Sequence, residues 1–200
     1  MTTRERILNE ATRQLLELGY SAFTMVSVRD ALGLSSGSMF HAFESKPALV
    51  AEIYVEGMRR YQSTAIEALT STPDPVAAVE SLVETHLCWV RDNRELARFL
   101  FSTQPDEVID AAAPTLTDAN TVFFSAVESV LDAAVEAGVM APLPPGVGHS
   151  VLMGAVQEYC RQWTRGTTTV DPGDLVGVYQ RVAVAAMRAT LEPEHSNVRV

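Results

Sequence analysis

Residues 24–46, TMVSVRDALGLSSGSMFHAFESK, read as two short helices separated by a tight, glycine-containing turn and followed by a lysine. That pattern is a helix-turn-helix, the unit that seats its second helix in the major groove of DNA. Thr24 precedes a run with Met25, Val28, Ala31 and Leu32 at helical spacing, so its hydroxyl is placed to cap a helix starting at Met25. Gly33 falls where the chain must reverse with a positive φ, and Leu34 gives the turn an apolar anchor. Ser35 is placed to cap the next helix, Ser36 to about Ala42. Within it Met39, Phe40 and Phe43 recur at spacings of three and four, while Ser36, Ser38 and His41 point outward. Small polar residues at the front of a short helix suit a surface inserted into a groove.

Upstream, ILNEATRQLLELGYSAFT (7–24) carries Ile7, Leu8, Ala11, Leu15 and Leu16 on one face and exits through Gly19-Tyr20. Downstream come Phe43, Lys46 and Leu49, the last opening a long fourth helix. On these residues the first fifty positions resemble the TetR family of bacterial transcriptional regulators. The resemblance implies a DNA-binding head, here residues 1–46, and a helical effector-binding and dimerisation body, residues 47–200. It also implies that Thr24, Arg29, Ser35, Ser36, Gly37, Ser38, Met39, Phe40, His41 and Lys46 face a double-stranded operator. Thr24 and Lys46 would meet flanking phosphates, and Met39 would touch thymine methyl groups. Two positions depart from the pattern. The family's YxHF signature places a phosphate-contacting Tyr and His where this chain has Phe40 and Ala42, leaving His41 and Arg29 as the nearby replacements.

With 47% hydrophobic and 20% charged residues in 200, the chain has an ordinary globular composition and enough length for a substantial core. A net charge of −10 argues against nucleic acid until its distribution is considered. Residues 1–60 hold seven basic and seven acidic side chains, so the whole excess lies beyond them. A neutral head on an acidic body orients toward a polyanion without gripping it strongly. Cys88 and Cys160 stand in apolar helical patterns with no metal-ligand or CxxC spacing, and are read as reduced core residues. No signal peptide and no membrane-length apolar run is seen, so a cytoplasmic location is expected.

Beyond Lys46 every periodic segment reads as helix, giving an all-α architecture of about nine helices. Ser45 caps a helix running to about Leu69; Asp74-Pro75 opens the next, with Val79, Leu82, Val83, His86, Leu87 and Val90 on one stripe. A short helix follows at 95–101, then an irregular segment with Pro105 and Pro114, and a helix over about 115–137 that stops at Gly138. The last two helices are expected at 149–165 and 173–191, with the tail EPEHSNVRV (192–200) frayed. The final one is apolar nearly all round, interrupted by Gln180, Arg181 and Arg188, and so needs cover on both sides. Homodimerisation through these two helices would supply it.

Tyr61, His86, Trp89, Phe99, Phe123, Phe124, Met153, Gln157, Tyr159, Cys160 and Trp163 each fit an ordinary core. Together they could line an apolar site for a small-molecule effector, with Gln157 orienting its polar atoms. There is no phosphate-binding loop, GxSxG or HExxH motif, and the histidines and cysteines lack metal-ligand spacing. Neither an enzyme nor a metal or other cofactor is therefore expected. The rival reading is a helical effector- or partner-binding protein that has lost specific DNA binding through Phe40 and Ala42.

Overall fold

The computed structural model describes residues 1–191, so the tail 192–200 and its expected fraying lie outside the described residues. These contain nine α-helices and no strand: α1 (Thr3–Ala22), α2 (Met25–Leu32), α3 (Ser36–Ala42), α4 (Lys46–Thr70), α5 (Pro75–Asp92), α6 (Arg94–Leu100), α7 (Asp106–Glu136), α8 (Gly148–Thr164) and α9 (Val176–Ala189). The helix boundaries have local causes. At the start of α1, Thr2 and Glu5 form a reciprocal capping box, and Gly19 (φ 74°) breaks helical geometry near its end. Thr24 Oγ1 accepts from Ser27 N at 3.1 Å and Ser35 Oγ accepts from Ser38 N at 3.1 Å, capping α2 and α3. Between them Gly33 takes the left-handed conformation, φ 63°. Asp74 caps α5 through Val76 N, with Pro75 at the first helical position.

Two elements differ from the sequence expectation. Helix α7 begins at Asp106 rather than near 115 and runs through Pro114. The Pro105 carbonyl accepts from Val108 and Ile109, and Asp106 and Glu107 complement the dipole of the first turn. Val108 and Ala112 are buried on the inner face, whereas Pro114 and Asp110, whose carbonyl loses its partner, are exposed. Water can satisfy that carbonyl, so the proline interrupts one bond without ending the helix. The last helix does not open directly at Pro172: a 3-10 turn, Pro172–Leu175, capped by Asp171 onto Gly173 N, precedes α9.

The chain divides into two compact units, one of residues 1–60 with 95–120 and the other of residues 61–94 with 121 onward. The first is larger than the 46-residue head outlined by sequence. Its core joins Ile7, Leu15, Phe23, Val28, Met39 and Phe43 to Leu49, Val50 and Ile53 of α4 and to Val108 and Ala112 of α7. The second packs α5, α8 and α9 on one another through Val79, Leu82, Val83, Leu87, Leu152, Met153, Val156, Val184 and Met187, all buried. Helices α4 and α7 each contribute residues to both units.

Candidate nucleic-acid interface and effector cluster

The surface of α3 is built by what α3 buries. Met39 is 1% exposed and Phe43 is buried in the head core, which fixes the helix's rotation. Ser35, Ser36, Gly37, Ser38, Phe40 and His41 are thereby turned outward, with Phe40 58% exposed. The expectation that Met39 meets thymine methyl groups is corrected: its side chain is spent on the core. The outward hydroxyls are engaged locally. Ser35 Oγ and Ser38 Oγ are 2.9 Å apart, and Ser36 Oγ accepts from Arg29 Nη1 at 3.2 Å.

Arg29 itself holds Asp30 Oδ1 with Nε at 2.8 Å and Nη2 at 2.6 Å. It thus ties α2 to the first turn of α3, and its charge is already shared with a carboxylate. Thr24 is exposed at the start of α2, beside Val26, which is 55% exposed. Sequence reasoning passed over Val26. The available signal was its position off the stripe formed by Met25, Val28, Ala31 and Leu32.

Lys46, expected beside a flanking phosphate, is engaged within the head. Its Nζ donates to the Tyr20 carbonyl at 2.6 Å and lies 4.1 Å from the centre of the Tyr20 ring. The Tyr20 hydroxyl donates to Glu107, and burial followed by that carboxylate pushes the phenol up to about 12. Arg98 Nη2 donates to the Leu16 carbonyl at 3.2 Å. The exit of α1 is therefore held by α4, α6 and α7 at once. On the other side of the head, Ser27 Oγ donates to Gln14 Oε1 at 2.6 Å, joining α2 to α1. Hydrogen bonds from Arg13 and Gln14 push the Glu10 carboxyl down to about 2.

Of the effector candidates, the second unit gathers Tyr61, His86 and Trp89. Tyr61 Oη and His86 Nδ1 are 2.8 Å apart, and the Tyr61 and Trp89 rings meet edge-on at 5.2 Å. Burial pushes His86 down to about 3, with a smaller contribution from His149, so the imidazole is neutral. Burial also raises the Tyr61 phenol and lifts the Cys160 thiol to about 12. Phe123 and Phe124 pair with each other at 5.1 Å and each meets His149 edge-on, at 5.7 and 5.8 Å. His149 is a member that spacing could not reveal, because only the fold brings the start of α8 to α7. Met153 is fully buried and Gln157 half-buried.

Three candidates have other ring or hydrogen-bond partners. Phe99 lies in the first unit, edge-on to Tyr54 at 6.0 Å. Tyr159 donates to the Val170 carbonyl at 2.5 Å and faces Tyr179, while Trp163 lies under the Arg94 guanidinium at 4.5 Å. A cleft of about 810 Å³ opens in the first unit between α1, α4, α6 and α7, and none of the eleven candidates lines it. Among the described residues no group of three or more His, Cys, Asp or Glu is placed to hold a metal ion. None of their helices is long and apolar enough to cross a membrane.

A capped α2–turn–α3 pair on a supporting α1, with no strand among the described residues, defines a helix-turn-helix protein. Residues 7–53, the helix-turn-helix head and the start of α4, match the family model of bacterial regulatory proteins, tetR family. It is 28% identical over 135 residues, 68% of its length, to the HTH-type transcriptional repressor KstR2 of Rhodococcus jostii, spanning just under two thirds (66%) of that repressor. Its fold matches a tetR-family regulatory protein from Rhodococcus RHA1 with a TM-score of 0.69 at 20% identity, covering 94% of this chain and 98% of that one. It also matches FadR from Bacillus subtilis, solved with stearoyl-CoA, with a TM-score of 0.74 at 13% identity, covering 91% and 98%.

Proposed function

We propose that this chain is a transcriptional repressor that binds a near-palindromic operator as a homodimer in the bacterial cytoplasm and is released by a small-molecule effector. The observation that carries the reading is the outward face of α3, set by the buried Met39 and Phe43 inside the segment that matches the family model. Thr24 and His41 are the exposed polar side chains best placed to meet phosphates beside it.

Dimerisation is supported by α9. Val178 and Val182 are each 43% exposed, and Ala185 and Ala189 continue the same stripe at spacings of three and four. Val151 adds an exposed apolar residue on α8. Such a stripe needs a partner, and two heads are needed to span successive major grooves. For the effector, the Tyr61, His86, Trp89 and Cys160 neighbourhood supplies aromatic surface and a neutral hydrogen-bonding imidazole. An acyl-CoA such as the stearoyl-CoA held by FadR is a reasonable first compound to screen. An effector moves the DNA equilibrium only by its differential affinity for the two states, typically about 1–3 kcal/mol. Helices α4 and α7, which contribute to both units, are the elements through which it would act.

The rival reading, a helical binder without specific DNA binding, draws on the same head: Lys46 and Arg29 are both occupied internally. Fluorescence anisotropy against duplexes selected from random DNA, at two salt concentrations, separates the two. Tight, salt-sensitive binding to a near-palindrome is expected for the regulator. Failure to enrich any duplex, with and without candidate effectors, would leave the rival standing.

A further inference from the structure

Resting on the reading above, we infer that Phe40 is a specificity-determining residue that reads the 5-methyl group of thymine in the operator. Base edges in the major groove are usually read by Arg, Lys, Asn or Gln through paired hydrogen bonds, or by apolar groups against the thymine methyl. The outward face of α3 has none of those four side chains: it presents Ser35, Ser36, Gly37, Ser38, Phe40 and His41. The three hydroxyls are short and each has a local partner, Ser35 with Ser38 and Ser36 accepting from Arg29; none can make the paired hydrogen bonds that discriminate one base edge from another. Met39 is buried, so the one large apolar group offered by the helix is the Phe40 ring, 58% exposed, more than Phe124 at 45%. An exposed phenyl ring here costs solubility and gains nothing for the head core. Against a methyl-lined groove it removes apolar surface from water on both partners. Without a hydroxyl, Phe40 cannot donate to a phosphate oxygen.

The test uses the full-length protein and its selected duplex, with each thymine replaced in turn by deoxyuridine, which removes only the methyl group. Loss of one buried methyl contact predicts about a fourfold drop in affinity at the thymine facing Phe40 and little change elsewhere. In the Phe40→Ala variant affinity falls overall and the uridine effect at that position disappears. Phe40→Tyr keeps the ring and therefore keeps the uridine effect. Helical content by circular dichroism establishes that both variants retain the fold. Uniform tolerance of deoxyuridine would overturn the inference while leaving the regulator intact, as would a uridine effect that persists in Phe40→Ala. Failure to select any duplex would overturn both.

Discussion

Met39 and Phe40 are neighbours in α3 with opposite fates, one in the core and one in water, and Gly37 on the same turn has the smallest side chain of all. A glycine inside a helix costs about 1 kcal/mol relative to alanine. Nothing in the head demands it: Gly37 has ordinary helical φ, and an added Cβ would meet only Ser35 Oγ, at an ordinary 3.8 Å. The remaining reason for a glycine is close approach of another molecule to the helix backbone. Gly37→Ala should therefore stabilise the head by up to about 1 kcal/mol in denaturant unfolding. The same variant should weaken operator binding about tenfold, the cost of forcing a methyl group into a fitted contact. If affinity is unchanged while stability rises, this turn of α3 does not lie against DNA. Gly33 is the opposite case: at φ 63° it is required by the turn, and Gly33→Ala should destabilise by about 1–2 kcal/mol.

At the scale of elements, α7 carries a proline in its ninth position, and there the energetics run against the observed structure. An interior proline costs about 3 kcal/mol, reduced here because its face is exposed and because proline stiffens the unfolded chain by roughly 0.4–1 kcal/mol. Pro114→Ala should raise Tm by a few degrees in thermal unfolding, and an unchanged or lower Tm would mean that the proline ring itself is needed for packing. This is also where the sequence was hardest to read. The caps of α2, α3 and α5 were legible because Thr24, Ser35 and Asp74 act on amides two or three residues away. Gly33 was legible because a tight helix corner leaves few alternatives. The first turns of α7 were not, since Pro114 argued locally for a break while the burial of Val108 and Ala112 argued, through tertiary contact, for continuity. Likewise, a helix of only seven residues has too few apolar positions to fix its rotation, so which of Met39 and Phe40 turned inward depended on what α1 and α4 offered it. The bond from Lys46 was not legible either, because its partner Tyr20 is 26 residues away.

Across the whole molecule, buried histidine bears on the pH dependence of stability and exposed valine on the proposed dimer. His86 is fully buried with its pKa lowered from 6.5 to about 3, and His149 is lowered by burial in the same direction. A lowered histidine pKa means that the unfolded chain binds the extra proton, so stability is complete above pH 6.5 and is lost as pH falls toward 3. His86 alone should cost about 2 kcal/mol between pH 7.5 and pH 5, a window above the carboxylate titrations. Urea unfolding at the two pH values measures it, and His86→Gln should flatten the slope. The proposed dimer rests on α9, where Val178 and Val182 stand exposed at i and i+4 beside Ala185 and Ala189, while Ala183, Val184 and Met187 occupy the core on the opposite face. Placing a carboxylate at the centre of an apolar interface leaves it buried without a partner, a cost of several kcal/mol counted twice in a two-fold contact. Val178→Glu with Val182→Glu should thus give a monomer by sedimentation equilibrium, with α-helical content retained because neither side chain serves the core. A monomer presents one α3 where a near-palindrome offers two half-sites, so it should bind the selected duplex weakly and lose the preference for two half-sites over one. A double variant that still sediments as a dimer would move the interface off this stripe of α9.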